Sequence, residues 1–168
     1  MTGTACLSRE RRDIIETLDK HRGFLRQTLD GMSNEQIRIA STVSELSLGR
    51  IVKHVTATES TWRNFIVKGA AAFEEMSPDA YEAEWRLEDG DTVESLLASY
   101  AEAAAKTDAL VAEVDFDSEH SLPVAPWFEP GASWSARRAL LHIIAEGAQH
   151  AGHADIIREA IDGAKTMG

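Results

Sequence analysis

The sequence predicts an all-α domain built from four main helices. Three observations carry this. Four long segments repeat apolar residues at helical spacing, no segment alternates apolar and polar residues over a strand's length, and capping or glycine signals fall at the segment ends. The chain of 168 residues reads as one domain, 1–168, and its 43% apolar content is enough for a sizeable core. Two long connections mean that not every consecutive pair of helices runs antiparallel, unlike a simple up-down-up-down bundle.

The first helix starts near Ser8, a good N-cap, and runs to about Leu29. Ile14, Ile15, Leu18, Phe24, Leu25 and Leu29 form its apolar stripe, and Gly31 is its stop. Arg9, Arg11 and Arg12, mixed with Glu10 and Asp13, read as a solvated face. Ser33 and Gln36 have the spacing of a capping box, which predicts a short helical turn. The second helix is capped by Ser47, begins at Leu48 and continues to about Lys68, with Gly69 ending it. Its apolar face is Leu48, Ile51, Val52, Val55, Trp62, Phe65 and Ile66. Residues 70–90 are mixed: Pro78 opens a turn, Asp89-Gly90-Asp91 is a breaker, and Tyr81, Trp85 and Leu87 are apolar enough to pack the connection onto the helices. The third helix is announced by Asp91, with Glu94 three residues on, and runs to about Val114 through Val93, Leu96, Leu97, Tyr100, Ala104 and Leu110. Pro123, Pro126, Pro130 and Gly131 keep residues 115–132 from being helical throughout. Connections of that length are often functional. The fourth helix begins at Ser133 or Ser135 and ends before Gly163.

Charge and composition narrow the function classes. A formal net charge of -11 repels phosphate backbones and anionic membranes, which argues against a nucleic-acid or membrane partner. No apolar run reaches the length of a membrane span, and the first residues lack the order of a secretory signal. The expected setting is a reducing, cytoplasmic one. The single cysteine, Cys6, rules out an internal disulfide and a thiolate-rich zinc site, and no histidine near it marks it as a nucleophile.

The chemistry lies in the histidines. Glu146 and His150 are four residues apart on the fourth helix, so they project from one face, and His153 follows three residues later. Their neighbours Ala145, Gly147, Ala148, Ala151, Gly152 and Ala154 are small and leave space. A carboxylate and an imidazole at this spacing can grip one divalent ion. The plain alternative is a solvated Glu–His pair. His54 lies among Ile51, Val52 and Val55 of the second helix, and is either a third ligand or a core-edge histidine bonded to a carbonyl. His142 stands one turn before Glu146, as support for a metal site or as packing. His21 sits between Lys20 and Arg22 and reads as surface or a bundle edge, and His120, in the polar Asp117-Ser118-Glu119 loop, reads as solvated. Nitrogen and carboxylate donors without sulfur suit Zn2+, with Ni2+, Fe2+ or Mn2+ also admissible.

The order His54-Val55, Glu59 and Trp62, followed by Leu140-Leu141-His142-Ile143-Ile144-Ala145-Glu146 and His150-Ala151-Gly152-His153-Ala154-Asp155, resembles the DinB/YfiT-like superfamily. It is most similar to the actinobacterial branch related to mycothiol-dependent enzymes. The resemblance implies a DinB-like four-helix bundle with an up-down-down-up arrangement and two long connections, often a homodimer. It implies a divalent metal, commonly zinc, held by His54, Glu146 and His150. It places His153 where many relatives carry glutamine, as a residue that supports a ligand, contacts substrate or shuttles protons rather than one that ligates the metal. The mycothiol-dependent maleylpyruvate isomerase shares the Glu–His pattern. Its additional C-terminal domain has no counterpart in these residues, so isomerase activity is not an expectation.

The function expected from this resemblance is a metal-dependent thiol S-transferase, with mycothiol as cosubstrate and an electrophilic small molecule as acceptor. Arg158, Arg63 and Arg50 are candidates for the thiol's polar end. Trp62 and Trp127 are candidates for the electrophile's pocket, against the ordinary role of large aromatics in the core. Two rivals stand beside it. One is a metal-dependent hydrolase in which His153 or His142 shuttles protons to an activated water. The other is a non-catalytic, stress-related binding protein with a vestigial site.

Overall fold

The structure is a computed structural model that describes residues 7–74 and 82–166; Cys6, Pro78 and Tyr81 lie outside the described residues. Four long helices dominate: α1 (Arg9–Gln27), α2 (Leu48–Lys68), α3 (Val93–Glu113) and α4 (Ala136–Asp162). A 3-10 turn at Gln36–Arg38 and a single helical turn at Ala71–Glu74 decorate the connections. None of the described helices is long and apolar enough to cross a membrane.

Local chemistry explains the helix ends. Ser8, Ser47 and Ser135 each accept a backbone N–H three residues on, so the fourth helix starts after Ser135 rather than Ser133. Ser33 and Gln36 form the expected reciprocal pair at 2.9 and 3.2 Å. The cap of α3 departs from expectation. It is Thr92, answered by Ser95, while Asp91 instead accepts from Lys53 and from the Glu88 amide. Gly163 closes α4 in the left-handed conformation at φ 79°.

Three further expectations are corrected. A small antiparallel hairpin, β1 (Glu119–Ser121) with β2 (Ser133–Ser135), sits in the last long connection. Three residues are too few to show alternation, so the sequence pattern could not reveal these strands. His120 is not a solvated loop residue: it lies on β1, half-buried, with Nε2 3.2 Å from the Ile66 carbonyl and its ring edge-on to Phe65. Arg11 likewise leaves the solvated face, donating to the Val111 and Val114 carbonyls and covering the Phe116 ring.

The core divides into two apolar clusters. One holds Leu25 of α1 and Leu29 in the turn after it, Leu48, Ile51, Val52 and Val55 of α2, Leu96 and Tyr100 of α3, and Ala151, Ala154 and Ile157 of α4. The other holds Ile14 and Leu18, then Trp62, Phe65 and Ile66, then Val111, and finally Ala139, Leu140 and Ile143. Along the chain, α1 and α4 pass from the second cluster to the first, and α2 and α3 pass the other way. Between the clusters each helix contributes polar residues, making a band across the middle of the protein. On one side of the band Arg22 (2% exposed) pairs with Glu59 (2% exposed) at 2.5 Å and with Asp108 at 2.9 Å. Burial opposes the charge on Arg22, but Glu59 and Asp108 outweigh it and hold its pKa above the ordinary arginine value. On the other side lie the histidines.

Candidate metal centre

The helical spacing and the opposed directions of α2 and α4 bring the expected residues together. His54 on α2, and Glu146 and His150 on α4, each present a ligand atom, and these atoms lie within 4.8 Å of one another. The rings of His54 and His150 meet edge-on with centroids 5.0 Å apart. His150 Nε2 is 3.5 Å from one Glu146 oxygen, and His142 Nε2 is 3.5 Å from the other. The i, i+4 ladder His142–Glu146–His150 read from the sequence therefore exists as a contact chain. His153 stands beside it, with its ring 5.4 Å from that of His150.

The site is sheltered and electrostatically prepared. His54 and His150 are both 8% exposed. Contact with the His150 ring holds the Glu146 carboxyl below the usual carboxylate range; burial pushes the other way, and His142 and His54 add to the lowering. Burial depresses the pKa of His142, against the pull of Glu146. A cavity of about 10 Å³, large enough for one water molecule, lies between this site and the Arg22–Glu59 pair, lined in part by Thr58, Glu59, Tyr100 and Glu146.

The residues fit a divalent metal. Nδ1 of His150 and of His153 are buried and without a hydrogen-bond partner, a costly arrangement for an apolar interior. Two imidazoles and a carboxylate are the donor set of an open, reactive site rather than a closed structural one. Donors sharing a tetrahedral zinc are roughly 3.3 Å apart, as bonds of about 2.0 Å imply, so small side-chain rotations suffice to close the set.

The remaining candidates are placed elsewhere or are otherwise engaged. Arg158 donates to the carbonyls of Thr28 and Asp30 and pairs with Asp162, which ties α4 to the end of α1. Arg50 donates to the Glu45 carbonyl, and Arg63 to the Asn64 side chain. Trp62, 7% exposed, stacks on Trp134 at 4.7 Å and takes the edge of His142 at 4.7 Å. Trp127 is 77% exposed and touches Phe128 edge-on. Trp85, which the sequence marked only as packing for a connection, lies flat on His54, with ring centroids 3.6 Å apart. Glu84 beside it carried no sequence signal at all.

A family model described as Mycothiol-S-transferase matches residues 13–163. The chain belongs to that family. The match spans all four long helices apart from the first turn of α1, and so includes His54, Glu146 and His150. A solved structure described as a conserved protein from Enterococcus faecalis has the same fold, with a TM-score of 0.62 at 16% identity over 91% of this chain and 97% of that one. No curated protein matches the chain. Membership of a mycothiol S-transferase family suggests transferase activity and implies a thiol partner.

Proposed function

We propose that the protein is a metal-dependent S-transferase that joins mycothiol, or a similar low-molecular-weight thiol, to an electrophilic small molecule in detoxification. The observation that carries this is the convergence of the His54, Glu146 and His150 donors within 4.8 Å in a chain of this family. Those three residues would hold one divalent ion, Zn2+ before Ni2+, Fe2+ or Mn2+. Held by them, such an ion would favour the thiolate form of a thiol, which is the nucleophilic form.

The protein's own groups then have defined tasks. Glu146, with its depressed pKa, stays ionised and balances charge at the site. His142, kept neutral by burial, is the nearby base for the thiol proton, which it passes to solvent. The sulfur–carbon bond forms as the bond to the electrophile's leaving group breaks, and no protein nucleophile is consumed. Trp62 and Trp134 wall the apolar side next to His142. Arg158, already held by the Thr28 and Asp30 carbonyls and by Asp162, is the proposed contact for the thiol's polar end. The wider setting proposed is an up-down-down-up four-helix bundle, assembled as a homodimer in the cytoplasm.

The test is a steady-state assay of zinc-loaded and metal-stripped protein with mycothiol and a bimane or chloro-nitroarene electrophile. The expected result is conjugation above the uncatalysed thiol reaction, lost on stripping and in His54→Ala. No excess rate across several electrophiles would contradict it. Product formed without thiol would favour the hydrolase, and no excess rate together with substoichiometric metal in the purified protein the vestigial binding protein.

A further inference from the structure

The connection before α3 does more than close a loop. Glu84 Oε2 lies 3.7 Å from His54 Nδ1, and both side chains are largely buried, at 17% and 10% exposure. That nitrogen has no hydrogen-bond partner. On the opposite edge of the ring, Nε2 is 3.3 Å from the Thr58 hydroxyl. Trp85, the next residue, covers the face of the same ring at an interplanar angle of 16°.

This placement is built rather than incidental. Lys53 donates to the Arg86 carbonyl and to the Asp91 carboxylate, both at 2.8 Å. Arg38 donates to the Glu88 and Asp91 carbonyls at 2.7 and 2.8 Å. Leu87 sits in a notch left by Gly49, where a Cβ would come within 2.8 Å of its Cδ1. Two cations and a notch thus strap the segment to the surface above His54.

A neutral imidazole has one N–H and one lone pair, and an ionised carboxylate can only accept. A carboxylate facing Nδ1 therefore selects the tautomer with its proton on Nδ1. The lone pair is left on Nε2, where the Thr58 hydroxyl can turn to donate to it. The separation of 3.7 Å is that of an ion pair rather than a hydrogen bond, and closing it takes a shift of several tenths of an ångström.

Resting on the metal reading above, we propose that Glu84 is a positioning residue for the centre. Its carboxylate accepts from His54 Nδ1–H and so presents Nε2 as the metal-binding nitrogen, while Trp85 clamps the ring plane. Partners of this kind orient metal-binding histidines, and their loss typically weakens metal binding 10–100-fold.

The experiment has two arms. Long-range 1H–15N spectra of metal-free protein, at about pH 8.5 where an unperturbed imidazole is neutral, report the His54 tautomer. Competition with a chromogenic chelator reports zinc affinity. The expected result is an Nδ1–H tautomer in the wild type and a mixed population in Glu84→Ala. Zinc affinity in Glu84→Ala falls roughly 10–100-fold while the thermal midpoint of the metal-free protein is unchanged. Glu84→Gln, which keeps an acceptor oxygen, recovers part of the affinity. An Nε2–H tautomer in the wild type, or a tautomer indifferent to Glu84→Ala, overturns the proposal. So does an undiminished zinc affinity in Glu84→Ala. A wild type that takes up no zinc yet shows the Glu84-dependent Nδ1–H tautomer retires the metal reading and keeps the pairing.

Discussion

Glu59 shows how differently two acidic side chains can be used in one polar band. It is 2% exposed, and its charge is met by Arg22. Removing one partner of a buried ion pair leaves the other uncompensated, typically at a cost of 3–5 kcal/mol. Asp108 and Asp19 still touch Arg22, so Glu59→Gln should cost about 3 kcal/mol, the lower end of that range. Urea denaturation of the metal-free protein checks this, and a change below about 1 kcal/mol would mean that the pair contributes no more than a surface contact. In the sequence, Glu59 was visible only as part of a family motif, because its partner lies 37 residues away. Glu146 and His150 were legible because helical spacing alone puts them on one face. His54 was legible as a candidate among apolar neighbours, but its partnership with them needed the fold. Glu84 was not legible, since it lies in a stretch with no periodicity and acts through a loop.

At the scale of elements, the helices were readable from caps and stripes, and the connections were not. The apolar face assigned to α2 is buried residue for residue, from Leu48 to Ile66. The strap before α3 depends on long-range contacts from Lys53, Arg38 and Gly49, which no local pattern announces. Two glycines separate packing from propensity. Gly49→Ala places a methyl 2.8 Å from Leu87 and 3.1 Å from the Ile37 carbonyl, so it should cost roughly 1–3 kcal/mol and loosen zinc binding through Trp85. Gly152→Ala meets nothing within 4 Å on exposed helix and should stabilise the protein by up to about 1 kcal/mol. Chemical denaturation of both variants checks the contrast; equal effects would mean that the notch is unimportant.

Asp91 gives the strap a pH dependence. Burial pushes its carboxyl up, but the Lys53 ammonium and the Glu88 amide outweigh this and hold it below the usual carboxylate range. A carboxyl with a lowered folded pKa stabilises the protein above its unfolded value, and the contribution is lost as pH falls through the folded one. Asp91→Asn should therefore cost about 1 kcal/mol near neutral pH. Its stability should converge with that of the wild type below about pH 4. Unfolding midpoints measured across that range test it, and a gap that persists in acid would mean that the lost contribution does not come from the charge.

For the whole molecule, the polar band between two apolar clusters is the organising feature. It lets four helices carry buried charge at mid-height, balanced by ion pairing on one side and by histidines around a carboxylate on the other. A protein built this way should be stabilised by its metal. Free zinc at 100 times its Kd adds about 2.7 kcal/mol, which raises Tm by several degrees. That increment should vanish in His150→Ala, and calorimetry with and without zinc measures it. The most direct measurement of the central claim is elemental analysis of protein purified without a His-tag, wild type beside His150→Ala. The account predicts about one equivalent of zinc or another divalent metal in the wild type and almost none in the variant, as expected when one of three ligands is lost. A wild type with only traces of metal, or a variant that keeps its full complement, would contradict it.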